Sequence, residues 1–404
     1  MIKIGIRQNL IYPTIFAFSS LFRDIGYIFM KNWINTNIEY YFLTLIMFIS
    51  EFISGLILFK YHLNFMKGRK SKEDSTIMGI KLVKIKQIKK RIPDSDLVIY
   101  IYIFLITFFD FLNFVIKLNL LPNYHSKSNI SYSPSIYIRL TVVLTFYSSF
   151  FSYFLLKIPI HKHQKCSLIL LGFCFLYLLF TEFFISFLND KSIDFEIFAF
   201  TIVFTILSQL FFSFIDIIEK YLLEYDFVNP FQMLMVEGIY GIILTIISFF
   251  IRINPIEIKK LNEIYGGELK KIFLLILFLI IYLVLSGIKN IYRVVTNKIY
   301  NPTTKNLFDI LMSPLLLIIY FYYEKDYQNM KEKQHRTIIF ISNLFVSFLI
   351  VFCCCVYNEL FVLFCCGLEY NTHREISKRA ELNSNLKELN PADDNDSDDG
   401  EYNM

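Results

Sequence analysis

The chain has 404 residues, of which 55% are apolar and only 19% are charged. A soluble domain is usually about a quarter charged and less than half apolar, so this composition excludes a disordered chain and argues against a water-soluble enzyme. The net charge of +5 is modest and does not indicate a nucleic-acid partner. Apolar residues in this proportion are typical of a protein whose solvent is the lipid bilayer.

Ten apolar stretches predict membrane-spanning helices, each of which needs about 20 residues. In chain order they are Tyr12 to Met30, Tyr41 to Phe59, Leu97 to Ile116, Tyr137 to Leu156, Cys166 to Leu188, Phe195 to Ile218, Phe231 to Ile251, Ile272 to Ile288, Leu307 to Tyr323 and Ile338 to Tyr357. Because lipid cannot pair with backbone groups, we expect helices and not open strands. Charge or proline interrupts the first and the ninth stretch.

Lysine and arginine indicate the orientation of these spans. With the N-terminus in the cytosol, the cytosolic segments carry 25 of these residues and the opposite side carries 13; the 60–96 loop and the connector after the eighth span contribute 11 and 4 of the 25. The sequon Asn129-Ile130-Ser131 then faces away from the cytosol. We therefore expect both termini in the cytosol, in the plasma membrane or in an endomembrane of Golgi, vacuolar or lysosomal type.

A motif occurs in two of the stretches. Met47-x3-Glu51-x3-Gly55 in the second stretch matches Met233-x3-Glu237-x3-Gly241 in the seventh, and the fourth and ninth stretches open with similar Pro-containing segments. Both matches are five spans apart, so we predict an all-α polytopic membrane protein of ten transmembrane helices in two inverted five-helix repeats. The predicted units are 1–190, 191–366 and a disordered acidic cytosolic tail, 367–404.

Ionisable residues inside the spans are expected to face the interior of the bundle or a water-filled cavity. Glu51 and Glu237 have no basic residue within one helical turn, so each should be neutral or paired across helices. We interpret them as proton-coupling or substrate-contacting acids; the alternative is a protonated glutamate bonded to a neighbouring backbone. The other candidates are Arg23, Asp24, Asp110, Arg139, Glu182, Asp216 and Asp309.

Five of these candidates, in three groups, have a predicted arrangement. Asp110 and Arg139 lie on successive spans and are predicted to form an ion pair, either structural or in contact with a ligand. Arg23 and Asp24 point about 100° apart on a helix and are not expected to pair. Asp216, with Glu219 and Lys220, approaches a helix end, where an interfacial position is favoured over a central one.

The segment that opens the ninth stretch, Asn301-Pro302-Thr303-Thr304-Lys305, has hydroxyls and free amides that suit an anionic group; a plain helix cap is the alternative. The chain has no Walker loop and no His-Glu-x-x-His motif. An intramembrane enzyme would lack a recognisable nucleophile and base, so we expect neither enzymatic activity nor a cofactor or metal.

Several segments resemble the F6-like branch of solute carrier family 35, in the drug/metabolite transporter superfamily. They are Gln209, Glu219-Lys220, Asn229-Pro230, Glu237-Gly238-Ile-Tyr-Gly241, Phe48-Ile-Ser-Glu51-Phe, Asp110, Arg139 and Pro302-Thr-Thr-Lys305 to Asp309. The resemblance implies ten helices, cytosolic termini and alternating access. Relatives in this superfamily include nucleotide-sugar transporters and vacuolar drug or peptide exporters.

We therefore expect a secondary-active transporter or exchanger of a small polar metabolite. The residues expected to line its substrate or coupling cavity are Glu51, Asp110, Arg139, Gln209, Glu237, Thr304 and Asp309. The expected partners are the lipid bilayer, a small solute and protons, and a homodimer is left open. The alternative function is a non-transporting membrane scaffold or trafficking protein with a transporter-like fold.

Overall fold

The computed structural model describes residues 2–4, 11–31, 37–69, 96–120, 142–188, 195–252, 269–323, 333–363, 372, 375–376 and 378–379. These ranges form β1 (Ile2–Ile4), α1 (Ile11–Lys31), α2 (Asn37–Arg69), α3 (Asp96–Leu120), α4 (Val142–Phe154), α5 (Lys162–Leu188), α6 (Phe195–Glu224), α7 (Pro230–Arg252), α8 (Leu269–Ile299), α9 (Pro302–Ile310), α10 (Ser313–Tyr323), α11 (Lys333–Tyr357) and β2 (Phe361–Leu363). Arg139, the sequon at Asn129 and the acidic tail from Pro391 lie outside the described residues.

Seven helices of the described part are long and apolar enough to cross a membrane, namely α2, α3, α5, α6, α7, α8 and α11. This confirms an all-α polytopic integral membrane protein. The apolar helix α4 is shorter, with 13 residues. The predicted ninth span is divided into α9 and α10 by a turn at Leu311 and Met312. Pro314 follows this turn, and a proline has no N–H with which to continue the helical hydrogen bonds.

Polar side chains are packed inside the bundle, whereas large apolar side chains cover its outside. The side chains of Ser208, Asn297 and Asn343 are fully buried, while Phe250 and Phe273 are 77% and 66% exposed. In water this distribution would leave a very large apolar surface uncovered. Lipid covers such a surface, and polar groups that face the interior of the bundle can bond across helices.

The helices pack in a recurring set of pairs. Helix α2 packs against α7 in the middle of the bundle, with α5 against α11 and α4 against α9 as further pairs. Helix α1 packs against α8 and α9, α3 packs against α6 and α7, α2 also contacts α8, and α4 contacts α6. These contacts bring α2, α3, α6, α7 and α8 around one buried region.

Helices α2 and α7 run in opposite directions through this region. The hydroxyl groups of Tyr41, near the start of α2, and Ser248, near the end of α7, are 3.4 Å apart. Further along α2, Gly55 lies against the backbone of Phe231 and Met235, at the start of α7. Residues later in α2 therefore contact residues earlier in α7, so the two helices are antiparallel.

Two glycines permit this close approach. A Cβ atom at Gly55 would lie 2.8 Å from the carbonyl oxygen of Phe231, and one at Gly238 would lie 2.8 Å from that of Phe48. Gly55 of α2 thus lies against the backbone of α7, and Gly238 of α7 lies against the backbone of α2. The sequence motif had equated Gly55 with Gly241, which instead faces the ring of Phe48. Small residues at a crossing let helix backbones pack closely in a membrane.

A two-stranded sheet joins the two ends of the described fold. Strands β1 and β2 are antiparallel, with Ile2 opposite Leu363 and Ile4 opposite Phe361. Strand β1 precedes α1, and β2 follows α11 directly. The segment before the first helix and the segment after the last long helix therefore meet at the same end of the bundle.

The crossing predicts that Gly238→Ala destabilises the protein. The added methyl group would lie 2.5 Å from the backbone nitrogen of Phe52, and overpacking of this kind costs about 1–3 kcal/mol. Gly172→Ala is the matched control, because its Cβ would lie 3.6 Å from the nearest atom of the Phe146 ring. Thermal unfolding in detergent measures both variants; equal melting temperatures would contradict the close crossing.

Candidate functional site

Arg293 of α8 lies at the centre of a buried group of carboxylates. Its Nη1 atom is 2.7 Å from Oε1 of Glu219 on α6, and its Nη2 atom is 2.9 Å from Oε2 of Glu237 on α7. Nη2 is also 3.8 Å from Oε1 of Glu51 on α2. The side chains of Glu51, Glu219 and Glu237 are at most 3% exposed. One guanidinium group therefore ties together α2, α6, α7 and α8; we call these four residues the ion cluster.

The length of α8 is what brings Arg293 into the bundle. The eighth span was predicted to end at Ile288, and this is wrong for the helix, which continues to Ile299. Arg293 had been counted in the cytosolic connector that follows. In the structure α8 also approaches α2 closely, since a Cβ atom at Gly287 would lie 2.7 Å from Oγ of Ser54. The added turns place Arg293 beside the α2–α7 crossing.

A second ion pair is linked to the ion cluster through Asn297. The Nδ2 atom of Asn297 donates to Oε2 of Glu219 at 3.0 Å and to the backbone carbonyl of Asp216 at 2.9 Å. The carboxylate of Asp216 forms an ion pair with Lys305 of α9. Asp216 and Glu219, for which an interfacial position was favoured over a central one, both have side chains that are buried in this network.

Acidic groups outnumber basic groups at the ion cluster. Asp110 of α3 interacts electrostatically with Glu51, Glu237 and Arg293. Four acids thus act on one guanidinium group, counting only the described residues. The Oε1 atom of Glu237 has no hydrogen-bond partner among them, although this side chain is 2% exposed. Within the same residues no group of three or more acidic, histidine or cysteine side chains is arranged to hold a metal ion.

The structure brings together some of the predicted site residues. Glu51 and Glu237 converge on Arg293 and so follow the predicted alternative of pairing across helices, and Asp110 lies within electrostatic range of the same guanidinium group. Gln209 of α6 is buried at 1% exposure, and its Nε2 atom has no partner within the described part of the chain. It lies on the interior side of its helix and takes no part in the contacts of the ion cluster described above.

The predicted residues of the ninth span lie on α9. The backbone N–H of Thr304 donates to Oδ1 of Asn301 at 2.7 Å, which is the helix cap that the sequence left as the alternative to an anion site. Asp309 is half-buried and interacts electrostatically with Arg23 of α1. Arg139 lies outside the described residues, so its predicted pair with Asp110 is untested.

Arg23 and Asp24 do pair, contrary to the prediction. Nη2 and Nε of Arg23 lie 2.9 Å and 3.2 Å from the same carboxylate oxygen of Asp24. The prediction considered only the direction of the two Cα–Cβ bonds. The long, flexible arginine side chain bends along the helix surface and reaches its neighbour despite the angle between them.

Arg293 and Asn297 are the site residues that the sequence analysis missed. The signal was present, because Ser286, Asn290, Arg293 and Asn297 follow one another at intervals of three and four residues. This spacing puts them on one face of a helix. The predicted span ended where the hydropathy falls, and this end concealed the polar face. In the structure Ser286, Asn290 and Asn297 of that face are buried.

The ion cluster predicts that Arg293→Met is strongly destabilising. Removing one partner of a buried ion pair costs about 3–5 kcal/mol, since it leaves uncompensated charge in the interior. Adding Glu219→Gln to Arg293→Met should recover part of the loss. Thermal unfolding in detergent tests this, with Lys378→Met as a control that removes an exposed pair worth about 1 kcal/mol or less. An Arg293→Met protein as stable as the control would contradict the cluster.

The comparison with known proteins adds no relative. No family model matches the chain, and no curated protein matches it. The resemblance to the solute carrier branch therefore stays an interpretation of the segments named above. What the chain does has to be inferred from the ion cluster and from the packing of the helices around it.

Proposed function

We propose that the chain is a secondary-active transporter that exchanges a small polar solute for protons by alternating access, and that it is not an enzyme. The observation that carries the proposal is the ion cluster. Glu51 comes from the proposed first half, whereas Glu219, Glu237 and Arg293 come from the second. Buried charge at the meeting point of two halves is typical of substrate and coupling sites in transporters.

The packing of the helices supports two inverted five-helix repeats. We pair α1 with α6, α2 with α7, α3 with α8, α4 with α9–α10, and α5 with α11. Under this pairing the contact α1–α8 corresponds to α6–α3, α2–α8 to α7–α3, and α1–α9 to α6–α4, and all six contacts are present. The contacts α2–α7, α5–α11 and α4–α9 each join a helix to its own counterpart in the other half. The antiparallel crossing of α2 and α7 fits an inverted repeat with an approximate two-fold axis.

The sheet formed by β1 and β2 supports an even number of membrane crossings. It joins the segment before α1 to the segment after α11 at one end of the bundle. Ten crossings satisfy this condition if α1, α4 and α9–α10 together supply the three that are added to the seven long apolar helices. The excess of lysine and arginine in the predicted cytosolic segments then favours cytosolic termini.

The ion cluster suggests how protons are coupled to movement. Each carboxylate that takes up a proton loses its charge and hence most of its attraction for Arg293, an attraction that is strong in a low-dielectric interior. Glu51 holds Arg293 from the first half and Glu237 holds it from the second. Protonation would loosen the contact between halves, and their relative rocking would open the site to the other side.

The alternative, a non-transporting scaffold, also accommodates a buried arginine among carboxylates. Pairing with Arg293 gives Glu51 and Glu237 a structural role that a scaffold could also use. The surplus of acids over bases still favours transport, because a static core gains nothing from additional buried carboxylates. The oxygen of Glu237 that has no hydrogen-bond partner among the described residues points the same way.

Flux measurements test the proposed function. We expect wild-type protein in reconstituted vesicles to move protons together with at least one solute of a metabolite panel. Glu51→Gln and Glu237→Gln should abolish the proton dependence, because an amide cannot take up and release a proton at these positions. Glu375→Gln is the control, since Glu375 pairs with Lys378 at an exposed site outside the bundle.

Two results would contradict the proposal. A wild-type protein that moves no solute would leave the scaffold as the better account. If the solute flux of Glu51→Gln and Glu237→Gln has the same proton dependence as that of wild type, transport does not depend on the ion cluster. Equal amounts of folded protein in each vesicle preparation are required for both comparisons.

Glycosylation mapping tests the proposed topology independently. With cytosolic termini, Asn129 lies on the non-cytosolic side and should carry a glycan in a eukaryotic expression host, whereas the second sequon, at Asn395, should not. The Asn129→Gln variant should lose the corresponding shift on a gel. Modification of Asn395 without modification of Asn129 would show that the topology is the opposite of the proposed one.

A further inference from the structure

The charges around Arg293 discriminate between classes of solute. Among the described residues, Glu51, Glu219, Glu237 and Asp110 act on this single cation. With all five groups ionised the site is strongly negative, and charge of one sign in a low-dielectric interior attracts the opposite sign. Protons can neutralise the surplus while the site is empty, and a cationic solute can do so when it is bound.

The basic groups nearby do not provide an equivalent site for an anion. Lys305 is already paired with Asp216, one cation to one carboxylate. Lys289, one turn before Arg293 on α8, lies 6.0 Å from the centre of the Phe16 ring, as does Lys305. The terminal nitrogens of Arg293 are occupied by carboxylates. Arg293 and Lys305 therefore have carboxylate partners, whereas the carboxylates around them outnumber these two cations.

One buried acceptor points to a cationic ligand at the acidic side. The Oε1 atom of Glu237 has no hydrogen-bond partner in the described part of the protein, although this residue is only 2% exposed. Buried polar atoms normally find partners, so a ligand that donates a hydrogen bond would complete the bonding at this oxygen.

On this basis, and resting on the proposed transport function, we propose that the solute is a small organic cation with an ammonium or amidinium group, exchanged for protons. The cation binds beside Arg293 and shares Glu51, Glu219 and Glu237 with it, in the place of the protons that neutralise the surplus acids. Arg293 is thus a resident competitor that holds the carboxylates together when no solute is bound. Binding displaces the protons that compensate the surplus acids, which couples the two fluxes in opposite directions.

A panel of probes in reconstituted vesicles tests the solute class. Agmatine and putrescine represent cations, uridine monophosphate and glutamate represent anions, and glucose represents neutral solutes. In wild type we expect an outward proton gradient to drive uptake of agmatine or putrescine at least about tenfold faster than uptake of the other probes, equivalent to about 1.4 kcal/mol of discrimination. Glu237→Gln should lose this uptake, while Glu375→Gln should retain it.

Arg293→Lys tests the role of the arginine as a competitor. Lysine keeps the charge but cannot hold two carboxylates with a planar fork, so the resident cation is weaker and KM for agmatine should fall severalfold. An arginine that served only the structure would leave KM unchanged or raise it. This variant preserves the charge balance of the interior and is therefore expected to fold more readily than Arg293→Met.

The outcomes separate the solute class from the transport function. Uptake of anions or glucose without uptake of cations would overturn the cation proposal and leave the transporter in place. Cation uptake that does not depend on the proton gradient would overturn the exchange of solute for protons. An unchanged KM in Arg293→Lys would overturn the role of Arg293 as a competitor. If no probe of any class moves, both the cation proposal and the proposed function are contradicted.

Discussion

The contact between Arg293 and three glutamates from different helices is the constraint on which the rest of the structure depends. A guanidinium group in a low-dielectric interior is stable only when carboxylates replace its water, so α2, α6, α7 and α8 must converge at one point. That convergence requires backbones to approach closely, and Gly55, Gly238 and Gly287 permit it. The small glycines and the buried charges are therefore both needed for the helices to meet at this point. A bulky residue at the crossing would disturb the ion cluster even without contacting it.

The same constraint explains why polar side chains are buried among the apolar clusters of the interior, while the outside is apolar. Lipid solvates Phe250 and Phe273 on the surface, while interior polar side chains such as Ser148 bond across helices, here with Ser213 and Asn306. Apolar burial between helices contributes little in a membrane, because lipid is as apolar as the side chains that it replaces. Interhelical hydrogen bonds and ion pairs therefore specify which helices meet.

The apolar spans and the two central glutamates could be predicted from the sequence because each leaves a local signal. A run of about 20 apolar residues marks a span, and Glu51 and Glu237 are conspicuous within theirs. The signal for Arg293, its helical spacing with Ser286, Asn290 and Asn297, was weaker, since it lies after a fall in hydropathy that also marks the end of a span. Its position depends on how far α8 continues between other helices, which is a property of the assembled bundle. The pairing of Arg23 with Asp24 was missed for a different reason, the reach of a flexible side chain.

The most direct test of the central claim is whether the ion cluster exchanges bound protons for solute. Adding agmatine to the purified protein in weakly buffered detergent solution, with a pH indicator, measures the protons released for each solute molecule bound. We expect release in wild type and in Glu375→Gln, and its loss in Glu51→Gln and Glu237→Gln. Binding without proton release in wild type, or equal release in all four proteins, would contradict the claim.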